Sequence, residues 1–468
     1  NGLSPAYQSL HVNSENRVTA YVDFPFPADA PLYPDHRQMT AYLRAYAEHF
    51  DVVKHIRFQS PIEAVQADPG HGGPSWYVTV RGQDKERFDA VVVASGHQGV
   101  PLHPPFAKDF SGQYFHSHQY RVPEPFKGQR VLVAGIGNSA CDIAADVCTQ
   151  AQATVIAARS PVLLMPRMFL GVPTSRVLAK VEKPWVPWPV RRFFRTLVSR
   201  MAHGTMEQWG FRTPTKRTHP AGHHLLMGHF VWGRIKAKPG IAAIQGHDVR
   251  FDDGTVQAFD SIIAATGYRV DLPFLRPETS PVEGHWLRLF HRVVHPQQPG
   301  LYFMGFFNVS GGGNIRMMDD QAQWIAGLVN GRCGLPSVGE MNRAIDQERI
   351  TIQKLYPDSP RYGLELDPVA YRQALARVQR MAQRLQQHVA AAARDGQVPD
   401  RDLHARARRD AGVDLIAQFL VECSDVGTHV AYGGEACLQR GQRVLAGERE
   451  VILRTAPRVD AKVRRVLG

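Results

Sequence analysis

The sequence predicts an α/β protein built on parallel, doubly wound sheets, and two observations predict it. Gly128 to Ser160 (GQRVLVAGIGNSACDIAADVCTQAQATVIAARS) places strand, glycine turn, helix and strand in the order of a βαβ unit. Further short apolar runs, Phe88–Gly96, Ser261–Tyr268 and Leu301–Gly305, read as buried strands, each with a glycine at or near its end.

Within the βαβ unit, Arg130–Ala134 is the first strand, a helix runs from Ala140 to about Cys148, and Ala153–Ala158 is the second strand. The turn between strand and helix is GIGNSA, a GxGxxA pattern. A dinucleotide pyrophosphate is expected there, on the helix N-terminus. Gly135 makes the tight turn, Gly137 lets the backbone approach the phosphates, and Ala140 lets helix and strand pack closely. Asn138 and Ser139 complete the turn. Arg159 follows the second strand, where NAD-specific proteins carry an acid. A guanidinium there pairs with a 2′-phosphate, so NADP is favoured over NAD. The plainer alternative is an ordinary βα turn with a surface arginine.

At 468 residues the chain has room for about two or three domains. No run of about eighteen apolar residues marks a membrane span. Cys141, Cys148, Cys333, Cys423 and Cys437 form neither CxxC nor zinc spacing and read as reduced thiols of a cytoplasmic protein. The net charge of +12 raises the question of nucleic acid, but a large share of the excess lies in the Arg-rich 377–468 with no nucleic-acid motif beside it.

In chain order, Pro-rich residues up to Pro34 read as a loop and Arg37–Phe50 as a helix. Ile56–Val65 and Trp76–Val80 read as strands around a turn at Asp68–Pro74. Lys183–Ala202 is basic and aromatic; it either touches a membrane surface or packs its aromatics on its own domain. His219, His223, His224 and His229 lack acidic or Cys companions, so a loop is favoured over a metal site, and no metal is expected. Ile241–Asp260 reads as two strands around Asp252–Gly254. A Gly-rich loop, Ser310–Asn314, leads to a helix over Asp319–Leu328 with its acids at the N-terminus. Val369–Arg394 is helical in pattern, and 395–468 carries no readable motif.

Several motifs then fall together. FxGxxxHxxxY is met at Phe110, Gly112, His116 and Tyr120; GIGNSA follows; ATGY stands at Ala265–Tyr268; Asn13-Ser14 precedes Asp23–Pro27, DFPFP. In these motifs and their order, from about Tyr7 to Tyr371, the chain resembles the flavin-containing monooxygenases. The resemblance implies a two-dinucleotide-binding-domain flavoprotein. Residues 1–127 would form the first part of a Rossmann-like FAD domain, 128–245 an inserted Rossmann NADPH domain, 246–376 the FAD-domain return, and 377–468 an extension without assigned role.

The family begins with a first βαβ unit whose own GxGxxG holds FAD, and this chain enters later, at Asn13-Ser14. The expectation is an N-terminally truncated copy lacking on the order of fifty residues, with an incomplete FAD domain, exposed sheet edges and weakened FAD binding. His71–Trp76 imitates a GGxW flavin motif but sits in a hairpin.

The resemblance further implies oxygenation of an amine nitrogen or sulfide sulfur through a 4a-hydroperoxyflavin, with NADPH as reductant. The cofactor carries the chemistry and the protein orients it and excludes water, which accounts for the lack of a triad or carboxylate pair. Asn13 would be the active-site polar group; Phe110 to Tyr120 would organise the linker and steady bound NADP⁺; Gln321 would lie near the flavin. Expected partners are the small substrate and O2, with no nucleic acid, no transmembrane segment, room for peripheral membrane contact and a homodimer as candidate assembly. The alternatives are a Baeyer–Villiger enzyme, against which Tyr120 argues because those enzymes carry Trp there, an N-hydroxylating monooxygenase, or an inactive fragment that keeps only NADPH binding.

Overall fold

The computed structural model describes residues 4–70, 74–183, 185–222, 225–309, 313–357, 359–379 and 419–420. Helix α1 (His36–His49) starts one residue earlier than its pattern predicts, because Asp35 caps it. The Asp35 carboxylate accepts from the Arg37 and Gln38 N–H groups, and Gln38 accepts from the Asp35 N–H, a capping box. Strands β1 (Ile62–Ala67), β2 (Trp76–Val80) and β3 (Glu86–Phe88) form an antiparallel sheet, with β1 beginning later than expected. Strand β4 (Val91–Val93) is fully buried.

The central sheet gathers β5 (Gln113–His116), β6 (Arg130–Ala134), β7 (Ala153–Ala157), β8 (Ile235–Lys238) and, after an antiparallel excursion, β12 (Ser261–Ala264). That excursion is three strands, β9 (Ile241–Gln245), β10 (Asp248–Phe251) and β11 (Val256–Ala258), rather than two, because Gly246 supplies an unpredicted turn at φ 63°. The order is β8-β7-β6-β12-β5 and every pairing is parallel. The sheet therefore recruits residues 113–116 and 261–264 from outside the expected bounds 128–245. Sequence order could not show this, because β5 and β12 are brought in by pairing and not by proximity in the chain.

Both faces of this sheet are covered, which is why its strands are continuously apolar. Val131 and Val133 pack with helix α2 (Asn138–Val147), while Leu132 and Ala134 pack with Val249, Phe251 and Phe259. Helix α3 (Trp188–His203) lies in the basic, aromatic segment. Trp188 is held between Arg195 and Arg217, whereas Val190, Phe193, Phe194, Leu197 and Met201 are exposed. Residues 160–203 carry eight Arg and Lys against a single acid, Glu182. Among the described residues no helix is long and apolar enough to cross a membrane.

A second parallel sheet joins β4 to β13 (Leu301–Phe303) on one side and to β16 (Phe419–Leu420) on the other. Strand β14 (Asn308–Val309) precedes helix α4, which runs Asn314–Val329 and not Asp319–Leu328. Its start is set by Gly313 at φ 90°, so Asp319 and Asp320 fall in its second turn. Helix α5 (Val338–Leu355), unassigned from sequence, opens with a Ser337–Glu340 capping box. Strand β15 (Glu365–Leu366) pairs parallel with β14. Residues 368–379 are helical, as the pattern predicts; the remainder of the expected helix, nearly all of the extension, and His71, His223, His224 and Ser310 to Gly312 lie outside the described residues.

Candidate functional site

Strand β6 pairs with β7 on one side and β12 on the other, so chain direction divides at its carboxyl end. Such a point is where doubly wound sheets hold ligands. The GIGNSA turn lies there. Gly135 adopts φ 128°, and a Cβ on it would stand 2.4 Å from the Ala265 carbonyl oxygen, so only glycine fits. Gly137 is the N-cap of α2, and no side chain caps the helix. A Cβ on Gly137 would meet only the Arg361 Nη2, at 3.7 Å. The turn thus presents unsatisfied N–H groups beneath open space, the arrangement that suits a phosphate.

The Asn138 Oδ1 accepts from the Gly222 N–H at 3.2 Å, Ser139 is exposed, and Ala140 is buried against the sheet. Arg159 lies exposed at the end of β7, and its carbonyl accepts from the Arg212 guanidinium. Arg159 and Arg212 are therefore neighbours just past the strand that follows the turn. NADPH fits these residues.

Of the FxGxxxHxxxY residues, Phe110, His116 and Tyr120 are buried, and with the half-buried Gly112 they lock this unit together. Phe110 packs with Val249 and Phe259. A Cβ on Gly112 would stand 2.5 Å from the Asp260 carbonyl oxygen. His116 Nδ1 accepts from the His118 N–H at 3.1 Å, so Nε2 carries the proton and donates to the Gly267 carbonyl at 3.1 Å. Burial, aided by His103, drops His116 to about 4. The Tyr120 hydroxyl donates to Asp146 of α2 at 2.7 Å.

Asn13 is exposed, and its Oδ1 accepts from Arg167 Nη2 at 2.8 Å. Arg167 lies 3.8 Å from the buried Asp142 of α2, which also accepts from the Tyr7 hydroxyl at 2.8 Å. Burial raises Asp142 to about 6, opposed mainly by Arg167. Nearby, the buried Glu15 accepts from Arg176 Nε at 2.7 Å. These contacts fasten residues 7–15 to α2 and to the segment after β7. His219 pairs with Glu365 at 3.0 Å, and His229 packs edge-on against Trp232.

Gln321 occupies the core and not an open surface: its Oε1 accepts from the Gly305 N–H at 3.0 Å and its Nε2 donates to the Tyr371 hydroxyl at 2.7 Å. It holds the glycine turn after β13. Strands β4 and β13 are followed by left-handed glycines, Gly96 at φ 76° and Gly305 at φ 81°. With the uncapped N-terminus of α4, they fit one end of FAD. Among the described residues no second GxGxxG or GxGxxA turn follows a strand. Sequence reading missed Arg167, Arg212 and Arg361, because an isolated arginine carries no local signal and only the fold brings each to the site.

A parallel sheet with a glycine turn at its switch point, followed by a second parallel sheet, is the architecture of a dinucleotide-binding protein. A model of the Flavin-binding monooxygenase-like family matches residues 1–387. Rabbit (Oryctolagus cuniculus) flavin-containing monooxygenase 3 is 30% identical over 405 residues, covering 80% of this chain and 73% of the relative. Human flavin-containing monooxygenase 2 is 30% identical over 403 residues, with the same coverage. The solved S-allyl-L-cysteine S-oxygenase from Allium sativum superposes with a TM-score of 0.59 at 23% identity, covering 87% of this chain and 84% of that one. The NADP⁺-bound cyclohexanone monooxygenase from Rhodococcus superposes at 0.57 with 15% identity, covering 81% and 90%, a likeness of fold. The chain belongs to the Flavin-binding monooxygenase-like family and is a flavin-containing monooxygenase, with FAD and NADPH as its cofactors. A homodimer finds no support in the fold or the relatives.

Proposed function

We propose that this chain oxygenates a soft nucleophile, an amine nitrogen or a sulfide sulfur, with NADPH bound at the GIGNSA turn. The supporting observation is the uncapped α2 N-terminus, where a Cβ on Gly137 would meet only Arg361 Nη2, with Arg159 exposed at the end of the following strand. NADPH supplies hydride and FAD, when bound, supplies oxygen activation; neither requires a strong acid or base from the protein. Gly137 and the N–H groups of Asn138, Ser139 and Ala140 would bind the pyrophosphate. Arg159 would pair with the 2′-phosphate. Asn13, oriented by Arg167, would present its amide N–H groups to the cofactor without delivering a proton. Phe110, Gly112, His116 and Tyr120 would hold β5 and α2 in register, keeping the turn in shape.

The test supplies FAD and NADPH to the purified chain with a tertiary amine, a thioether or a cyclic ketone, and follows NADPH oxidation and products by mass spectrometry. N-oxide or S-oxide without lactone supports the reading. Lactone from the ketone supports a Baeyer–Villiger enzyme instead, and NADP⁺ binding without any oxygenated product leaves a dinucleotide-binding chain only.

A further inference from the structure

Arg361 reaches the glycine-rich turn from a distant part of the chain. It lies on a 3₁₀ turn, Pro360–Leu364, whose backbone is anchored on several sides. Tyr362 is buried and stacks on Tyr356 with centroids 5.2 Å apart. The Gly363 carbonyl accepts from Arg292 Nη1 at 3.0 Å, and Glu365–Leu366 pairs with Asn308–Val309. The Arg361 side chain is exposed and, among the described residues, makes no hydrogen bond or ion pair. Its Nη2 nonetheless stands 3.7 Å from the point a Cβ on Gly137 would occupy.

A guanidinium held over an uncapped helix N-terminus, with no anion of its own, matches two oxygens of one phosphate or of a diphosphate. We propose that Arg361 closes on the pyrophosphate of bound NADPH from the side opposite α2. The diphosphate would then be gripped between the α2 N–H groups and a side chain delivered by the return segment. This rests on the dinucleotide reading of the same turn. The 2′-phosphate, at the Arg159–Arg212 end, is a separate anion, and ligands that carry one group or the other tell them apart.

The test is titration of the full chain by calorimetry with NADP⁺, NAD⁺, ADP-ribose and 2′,5′-ADP. The last carries the 2′-phosphate without a diphosphate. Arg361→Gln is expected to weaken NADP⁺, NAD⁺ and ADP-ribose alike by about tenfold or more, and 2′,5′-ADP far less, as loss of a charge-assisted contact predicts. Arg361→Lys should fall between, because an ammonium keeps the charge and loses the fork. Arg159→Gln should do the reverse, weakening NADP⁺ and 2′,5′-ADP only. Melting of the unliganded variants should match wild type, since Arg361 is exposed. If Arg361→Gln binds ADP-ribose as tightly as wild type, or loses only 2′-phosphate ligands, the proposal is overturned while the site stands. If wild type binds none of the four, the site reading falls and this proposal with it.

Discussion

Arg167 donates to Asn13 through a 2.8 Å hydrogen bond, and that bond fixes the orientation of the Asn13 amide. A guanidinium has no acceptor, so the oxygen must face Arg167 and the amide nitrogen is left to donate elsewhere. Arg167 also serves Asp142, whose carboxyl is raised to about 6. Above that pH Asp142 is ionised and needs the arginine; below it the carboxyl is neutral and needs it less. Arg167→Gln should therefore destabilise the fold by about 1–3 kcal/mol at pH 8 and by clearly less at pH 5. Urea unfolding at the two pH values measures this, and an equal loss at both would break the link to Asp142.

The two glycines of the turn should separate stability from binding. Gly135→Ala forces a Cβ onto the Ala265 carbonyl at a left-handed φ and should cost about 2–4 kcal/mol by thermal or urea unfolding. A Cβ on Gly137 meets only Arg361 Nη2, at 3.7 Å, so Gly137→Ala should leave unfolding nearly unchanged while weakening NADP⁺ binding. Equal losses of stability in the two would mean that Gly137 is packed and not open.

His116 makes a pH signature. Its folded value, about 4, lies below the unfolded value near 6.5. The stability it contributes is present above pH 6.5 and is lost as pH falls toward 4, up to about 3 kcal/mol. Replacing it by Gln removes the titration, so the fall in unfolding free energy between pH 6.5 and 4 should be smaller in His116→Gln. The same slope in both proteins would refute a buried neutral imidazole.

Tyr120 packs against Tyr7 and Phe126 and donates to Asp146. Tyr120→Phe should cost about 1 kcal/mol in unfolding. It should leave the choice between sulfide and ketone unchanged, because the ring is buried away from any open surface. A product switch on that substitution would show that the position controls chemistry directly.

The parts legible in sequence were those with a local signal. Arg130–Ala134 emerged with its predicted bounds because a buried strand must be apolar throughout and a glycine turn must end it. The ordering of FxGxxxHxxxY, GIGNSA and ATGY sufficed for the family. What was not legible required pairing in space. Strands β5 and β12 join the central sheet across long loops, α4 starts at a left-handed glycine and not at its acids, and Gln321 is consumed by core hydrogen bonds. Arg361, which stands near the turn, and Arg212, which binds the Arg159 carbonyl, belong to elements remote in sequence, and no window of local pattern contains either with the turn.

The contact between Gly135 and Ala265 joins the glycine fingerprint and the ATGY motif, which stand far apart in the chain, into one structural unit. Each constrains the other's inheritance: a side chain at the first position is tolerable only if the backbone at the second retreats, and that retreat would pull β12 from β6. A side chain at Gly135 should therefore not be rescued by any replacement at Ala265, because the clash is with that residue's backbone carbonyl, and a grafted NADPH turn should carry its ATGY strand with it.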